Sequence, residues 1–182
     1  MKQRGCPLAG GRSDCHFAAM VSKRIGRHEG GKRKFLAVID ETPECSRAAA
    51  YAARRAKASG GGAVFLYVIE QDEFQHWAGV EKIMRAEAQA EADSRLSRIA
   101  ETLRANVGIE PELVVREGKK EEEIHKLIEA DREIAILVLA TSQGNEGPGP
   151  LVSAVAGRSG GFAIPVTIVP GALTDEEIES LS

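Results

Sequence analysis

Five short apolar runs punctuate the chain, separated by segments in which apolar residues recur at helical spacing. The first, Phe35-Leu36-Ala37-Val38-Ile39, is apolar at every position and ends at Asp40. Residues 63–69 and 134–139 are apolar in the same unbroken way. A strand with one wet face would alternate, so unbroken runs predict strands buried on both faces in a parallel sheet covered by helices. Residues 134–139 are the most apolar and should lie centrally. Residues 112–116 alternate and carry charge, which predicts an edge. The fifth run, Pro165, Val166, Thr167, Ile168 and Val169, also reads as an edge strand, with no charge to blunt it.

Between the strands the helix signals are distinct. Thr42 can cap and Pro43 suits a first helical position, so an Ala-rich helix is expected over 44–59, stopped by Gly60-Gly61-Gly62. A polar loop at 70–79 holds Phe74, His76 and Trp77. A long helix over 80–106 follows, with Ile83, Met84, Leu96, Ile99 and Leu103 on its apolar face. Residues 119–130 form a short charged helix with Ile124, Leu127 and Ile128 inward and His125 toward solvent. A further short helix is expected over 151–157. Thr174-Asp175-Glu176-Glu177 is a capping box that opens a last turn or two, with Ile178 and Leu181 as a docking edge. Strand and helix alternate throughout, which predicts an α/β fold built from right-handed βαβ units. The chain divides into a basic arm (1–33), one domain (34–170) and an acidic C-terminal tail with a short helix (171–182).

Composition narrows the partners. Aromatic residues are only 4% of the chain, so the core must be Ala, Val, Ile and Leu. No apolar run approaches the ~20 residues of a bilayer span, so no membrane partner is expected. The formal charge is −3, yet Lys and Arg crowd the first 33 residues, leaving the domain acidic. Nucleic-acid binding needs a basic footprint, so nucleic acid is not an expected partner. Three cysteines are too few and too odd for a disulfide framework, which fits the reducing cytoplasm. Cys6, Cys15 and His16 match no zinc spacing, and no tightly bound metal is expected. The arm has no apolar stretch of the secretory kind and is expected to be disordered, with Met20 an alternative start.

In an open parallel sheet, ligands bind beyond the carboxyl ends of the strands, where the strand order reverses. Asp40, the 70–79 loop and the Gly- and Pro-rich loop after residue 139 all fall on that edge. Glycines let backbone N–H groups approach an anion, and a helix starting at Leu151 points its positive end the same way. The chain has no P-loop lysine motif, no G-x-G-x-x-G after its first strand and no G-x-S-x-G elbow. No paired carboxylates, triad or metal cluster converge, so an enzyme is not expected.

These residues resemble the universal stress proteins. The resemblance covers about residues 34–170 and rests on Ala37-Val38-Ile39-Asp40-Glu41-Thr42, on Leu66-Tyr67-Val68-Ile69, and on the glycine loop with Pro165-Val166-Thr167-Ile168-Val169-Pro170. Members that bind ATP show a glycine, two residues, a glycine, nine residues, a glycine, then Ser or Thr. Gly144, Gly147 and Gly157 keep that spacing here. Arg158 stands where the hydroxyl belongs, with Ser159 one place later and Gly160 where a second hydroxyl is common. Ala140 to Gln143 also intervene between the fourth strand and the first glycine. The resemblance implies a Rossmann-like, five-stranded parallel sheet of order 3-2-1-4-5 with helices on both faces. It implies homodimers paired through the last strand, and a nucleotide whose adenosine part neighbours Asp40 and Val68. The function it implies is a cytoplasmic stress-response sensor or regulator that binds ATP or AMP. A ligand-free dimeric interaction module and a slow ATP hydrolase are the alternatives.

Each candidate has a structural reading beside the functional one. Asp40 either contacts a nucleotide or caps the next helix. The glycines either expose donors or only turn the chain. Arg158 either replaces the lost hydroxyl at a phosphate or points to solvent. Phe74, His76 and Trp77 form a lid over a base, or Phe74 and Trp77 cap the core. Cys45 is a small core residue or a thiol activated near a helix start.

Overall fold

The computed structural model describes residues 31–70, 81–142, 147–149, 151–153 and 162–182. Five strands, β1 (Lys34–Ile39), β2 (Gly62–Ile69), β3 (Glu112–Glu117), β4 (Ile134–Thr141) and β5 (Val166–Pro170), form one sheet in the order β3-β2-β1-β4-β5. All four pairings are parallel. The charged strand β3 and the apolar strand β5 are the edges, and β4 is interior, as the polarity patterns predict. The helices are α1 (Cys45–Ser59), α2 (Glu81–Val107), α3 (Lys120–Ala130) and α4 (Asp175–Leu181).

Side chains that alternate along each strand serve two cores. Phe35, Ala37, Ile39, Phe65, Tyr67 and Ile69 face one side, where α1, α2 and α4 lie. Leu36, Val38, Val64, Leu66 and Val68 face the other, where Ile124, Leu127 and Ile128 of α3 meet them. Strand β4 departs from strict parity, because Ile134 and Leu137 both join the second core. The register against β1 slips at that point: Lys34 pairs with Ile134 but Phe35 with Ile136. One extra residue in β4 therefore re-phases the strand. Helix α1 buries Cys45 and six alanines, and Gly60 ends it in a left-handed conformation (φ 65°). A Cβ on Gly61 would collide with the Arg33 carbonyl, so only glycine lets β2 start there.

Three boundaries and one face differ from expectation. Helix α1 starts at Cys45, one residue later than expected, with Glu44 at its cap position. Strand β4 runs to Thr141, so Ala140 and Thr141 are strand and not loop. Strand β5 is shifted one residue, and Thr141 pairs with Pro170. On α2, Leu96 and Leu103 are buried as expected, joined by Ala92 and Val107, but Ile83 (60% exposed) and Met84 lie outside the core. Residues 82–87 of α2 are all exposed, so the apolar spacing there meets no core among the described residues. At the C-terminus the capping box forms as read: Glu177 N–H donates to Thr174 Oγ1 (3.2 Å) and Thr174 N–H to Glu177 Oε2 (2.8 Å). Ile178 is buried, whereas Leu181 is exposed.

Candidate functional site

The strand order reverses between β1 and β4, and a cleft opens over their carboxyl ends. Its first lobe is walled by Asp40 and Thr42 after β1, Ala140 and Ser142 at the end of β4, and Gly149 and Leu151 beyond. The second lobe continues over β2, where Tyr67, Val68 and Ile69 give an apolar floor and Glu70 and Glu91 an acidic rim. Asp40, Thr42 and Lys120 belong to both lobes and mark the seam.

Asp40 is half-buried at this seam. Its Oδ1 accepts from the Thr42 N–H (3.0 Å) and from the Thr42 hydroxyl (2.5 Å). The carboxylate thus fixes the turn that feeds α1 but is not the helix cap itself; the Thr42 N–H and hydroxyl donate to Asp40, while the Thr42 carbonyl accepts the Cys45 N–H (3.4 Å). Oδ2 has no partner among the described residues. Cys45 is buried, and its thiol donates to the Asp40 carbonyl at 3.5 Å. Burial pushes the thiol pKa up, which opposes the thiolate expected near a helix start. Cys45 is a core residue.

Gly147 and Gly149 take φ of 94° and 88°, a region that favours glycine. A Cβ on either would meet nothing within 4 Å, so the demand is conformational and not one of crowding. Gly149 lines the cleft, and its carbonyl accepts the Ser153 N–H (3.0 Å) as the helical turn at 151–153 begins. Val68 lies on the cleft floor with Asp40 nearby. Gly144, Gly157, Arg158 and Ser159 lie outside the described residues, as do Phe74, His76, Trp77, Cys6, Cys15, His16 and Met20. His125 is exposed, but its ring stacks on Phe162 with centroids 4.4 Å apart.

Lys120 is the cleft residue that sequence reading missed. It opens α3, its side chain is 21% exposed, and its Nζ stands 3.8 Å from Glu70 Oε2. Among the described residues it is the sole cation lining either lobe. A usable signal existed: a helix that follows a parallel strand starts on the carboxyl edge. The run Lys119-Lys120-Glu121-Glu122-Glu123 nevertheless looks like an ordinary solvated face. No group of three or more His, Cys, Asp or Glu able to hold a metal occurs among the described residues. None of the described helices is long and apolar enough to cross a membrane.

A doubly wound parallel sheet with a cleft at its switch point defines an α/β fold of the Rossmann-like class. The universal stress protein family matches residues 32–170, and the chain belongs to that family. Curated protein sequences give no match. Among solved structures, the universal stress protein UspA from Lactobacillus plantarum is similar with a TM-score of 0.62 at 16% identity, over 76% of this chain and 98% of its own. The universal stress protein from Archaeoglobus fulgidus in complex with dAMP gives 0.52 at 16% identity, over 75% and 96%. A universal stress protein family protein from Arabidopsis thaliana with AMP bound gives 0.52 at 15% identity, over 79% and 94%. At these identities the likeness speaks for the fold.

Proposed function

We propose that this protein binds an adenine nucleotide, AMP or ATP, in the two-lobed cleft and serves as a non-enzymatic, cytoplasmic regulator of a stress response. The observation that carries the reading is Asp40 at the seam of the cleft, with one carboxylate oxygen held by Thr42 and the other without a partner among the described residues. Such an oxygen suits a ribose hydroxyl. The apolar floor around Val68 suits a base, and the glycine-rich side suits phosphate, with Lys120 between them. The AMP and dAMP held by the two relatives above agree with this class of ligand. Gly144, Gly157, Ser159 and Arg158 complete the phosphate side in this reading. Arg158 takes the place of the family's hydroxyl through charge-assisted bonds.

The protein acts as a homodimer in this proposal, paired through β5. Ile168 on that edge strand is 44% exposed, and an uncharged apolar edge is usually covered. Sedimentation of the wild type as a monomer at micromolar concentration would remove the dimer from the proposal, and Ile168→Lys is expected to weaken it.

Titration calorimetry with ATP, AMP and adenosine tests the nucleotide. Asp40→Ala should weaken all three at least about tenfold, and Arg158→Ala should weaken ATP by a similar factor. If the wild type binds none of them at millimolar ligand, the nucleotide reading falls and a ligand-free interaction module replaces it.

A further inference from the structure

We infer that the groove between α1 and α2 is a second binding site, for a small polyanion of the phosphate-chain type. The groove measures about 490 Å³, within the size range of small-molecule sites. Arg47 and Arg54 line it from α1, and Arg95 and Arg98 from α2. The first pair is seven residues apart, about 10 Å along the helix, and the second is one turn apart, so each helix presents its guanidiniums along one face.

Two of the four are already matched. Arg47 Nη1 lies 2.6 Å from Asp175 Oδ1, and Arg95 Nη2 lies 3.0 Å from Glu91 Oε1. The guanidiniums of Arg54 and Arg98 have no ion-pair or hydrogen-bond partner among the described residues. One uncompensated guanidinium therefore stands on each wall of one groove, in a chain whose formal charge is −3. Like charges across a groove repel, and an anion between them turns that repulsion into two attractions. A guanidinium fork matches phosphate oxygens better than a single-point cation does. Asn106, farther along α2, adds an amide that can donate to the same ligand. The spread of cations along the groove suits a chain of phosphates rather than one.

The groove is distinct from the nucleotide cleft but shares its wall. Thr42 lines both, and Arg95 Nη1 donates to the Asp40 carbonyl at 3.4 Å. An occupant of the groove would therefore bear on the turn that also shapes the cleft.

Inorganic tripolyphosphate, titrated calorimetrically at low salt into the full chain, tests this inference. The wild type should bind, and Arg54→Gln with Arg98→Gln should weaken binding at least about tenfold. Arg132→Gln, at an exposed position that does not line the groove, should stay within about twofold. Arg98→Gln alone, also exposed, should cost about threefold and carries the test should the double variant not fold. No binding by the wild type at millimolar tripolyphosphate overturns the inference. So does a loss in Arg132→Gln equal to that in the double variant. Undiminished binding by a folded double variant also overturns it, because the anion would then sit in the cleft or on residues 1–30.

Discussion

Under α1 the bulk comes from the strands, whereas on the opposite face of the sheet it comes from both partners. Phe35, Phe65 and Tyr67 rise from β1 and β2 toward α1, which answers with Ala48, Ala49, Ala50, Ala52, Ala53 and Ala56. Across the sheet, Leu36, Leu66 and Val68 meet Ile124, Leu127 and Ile128 of the shorter α3. An alanine face brings the α1 backbone close to the sheet and leaves no side chain that can change rotamer to absorb a misfit. A face of branched side chains on both partners can repack. The start of α1 is therefore set by backbone contact, and that start holds Asp40 and Thr42 at the cleft. Lys120, on the other side, stands on the helix whose packing is more forgiving.

The largest test of this contrast is Phe65→Ala. Phe65 is wholly buried beneath α1, and its loss should cost about 3–5 kcal/mol in urea unfolding. A cost under about 1 kcal/mol would show that α1 can settle onto the sheet, against the rigidity argued above. Overpacking probes the same face from the other direction. Ala52→Leu should cost about 1–3 kcal/mol, whereas the volume-conserving Leu127→Met on the opposite face should stay below about 1.5 kcal/mol. Equal costs would erase the difference between the faces.

Function gives a third test. Lys120→Ala should weaken AMP about tenfold while leaving adenosine binding and the thermal midpoint unchanged. Equal weakening of AMP and adenosine would mean that Lys120 shapes the cleft instead of contacting phosphate.

The amino-terminal edge of the sheet offers a smaller effect. Lys34 Nζ lies 2.7 Å from Asp131 Oδ2 and 2.9 Å from Glu112 Oε2, tying the start of β1 to the end of α3 and to the start of β3. Partial burial alone would lower its pKa, but the hydrogen bonds to Asp131 and Glu112 outweigh it and raise the value above the ordinary 10.5. A raised folded-state pKa means stabilisation that is fully present below the unfolded value and is lost as pH climbs through the folded one. Lys34→Met should therefore cost about 1–2 kcal/mol near neutral pH, and the gap to wild type should narrow only above about pH 10.5. A gap that already closes between pH 7 and 9 would contradict this. Smallest is Thr174→Ala, which removes the α4 cap and should cost about 1 kcal/mol in thermal unfolding. No shift at all would mean that Ile178 holds α4 without its capping box.

Much of this architecture is legible in the residues. Phe35 to Ile39 and residues 63–69 are apolar without interruption because helices cover both faces, and that alone implies a parallel sheet. The charged alternation of residues 112–116 marks β3 as an edge. Thr174 and Glu177 announce α4, because a cap is a local bargain between neighbours in the chain. Asp40 and Val68 could be placed at the cleft because strand ends are local features and the family resemblance fixes the strand order. The start of α1 was less legible: Thr42 and Pro43 carry a good helix-start signal, but α1 begins only at Cys45, with Glu44 at its cap position.

What the sequence determined by itself was the set of strands and helices and, through the resemblance, the edge of the sheet where a ligand belongs. Those follow from periodicity, turn chemistry and motif spacing, all of which act over a few residues. Which face of α2 is buried, why Ile134 and Leu137 share a core, and that Lys120 overlooks both lobes were decided only in three dimensions. So was the placing of Arg54 and Arg98 on one groove, since they lie 44 residues apart on two helices whose charged residues each look like ordinary solvent-facing positions. Local signals specify an element, but the charge and burial of a side chain depend on what the rest of the fold brings against it.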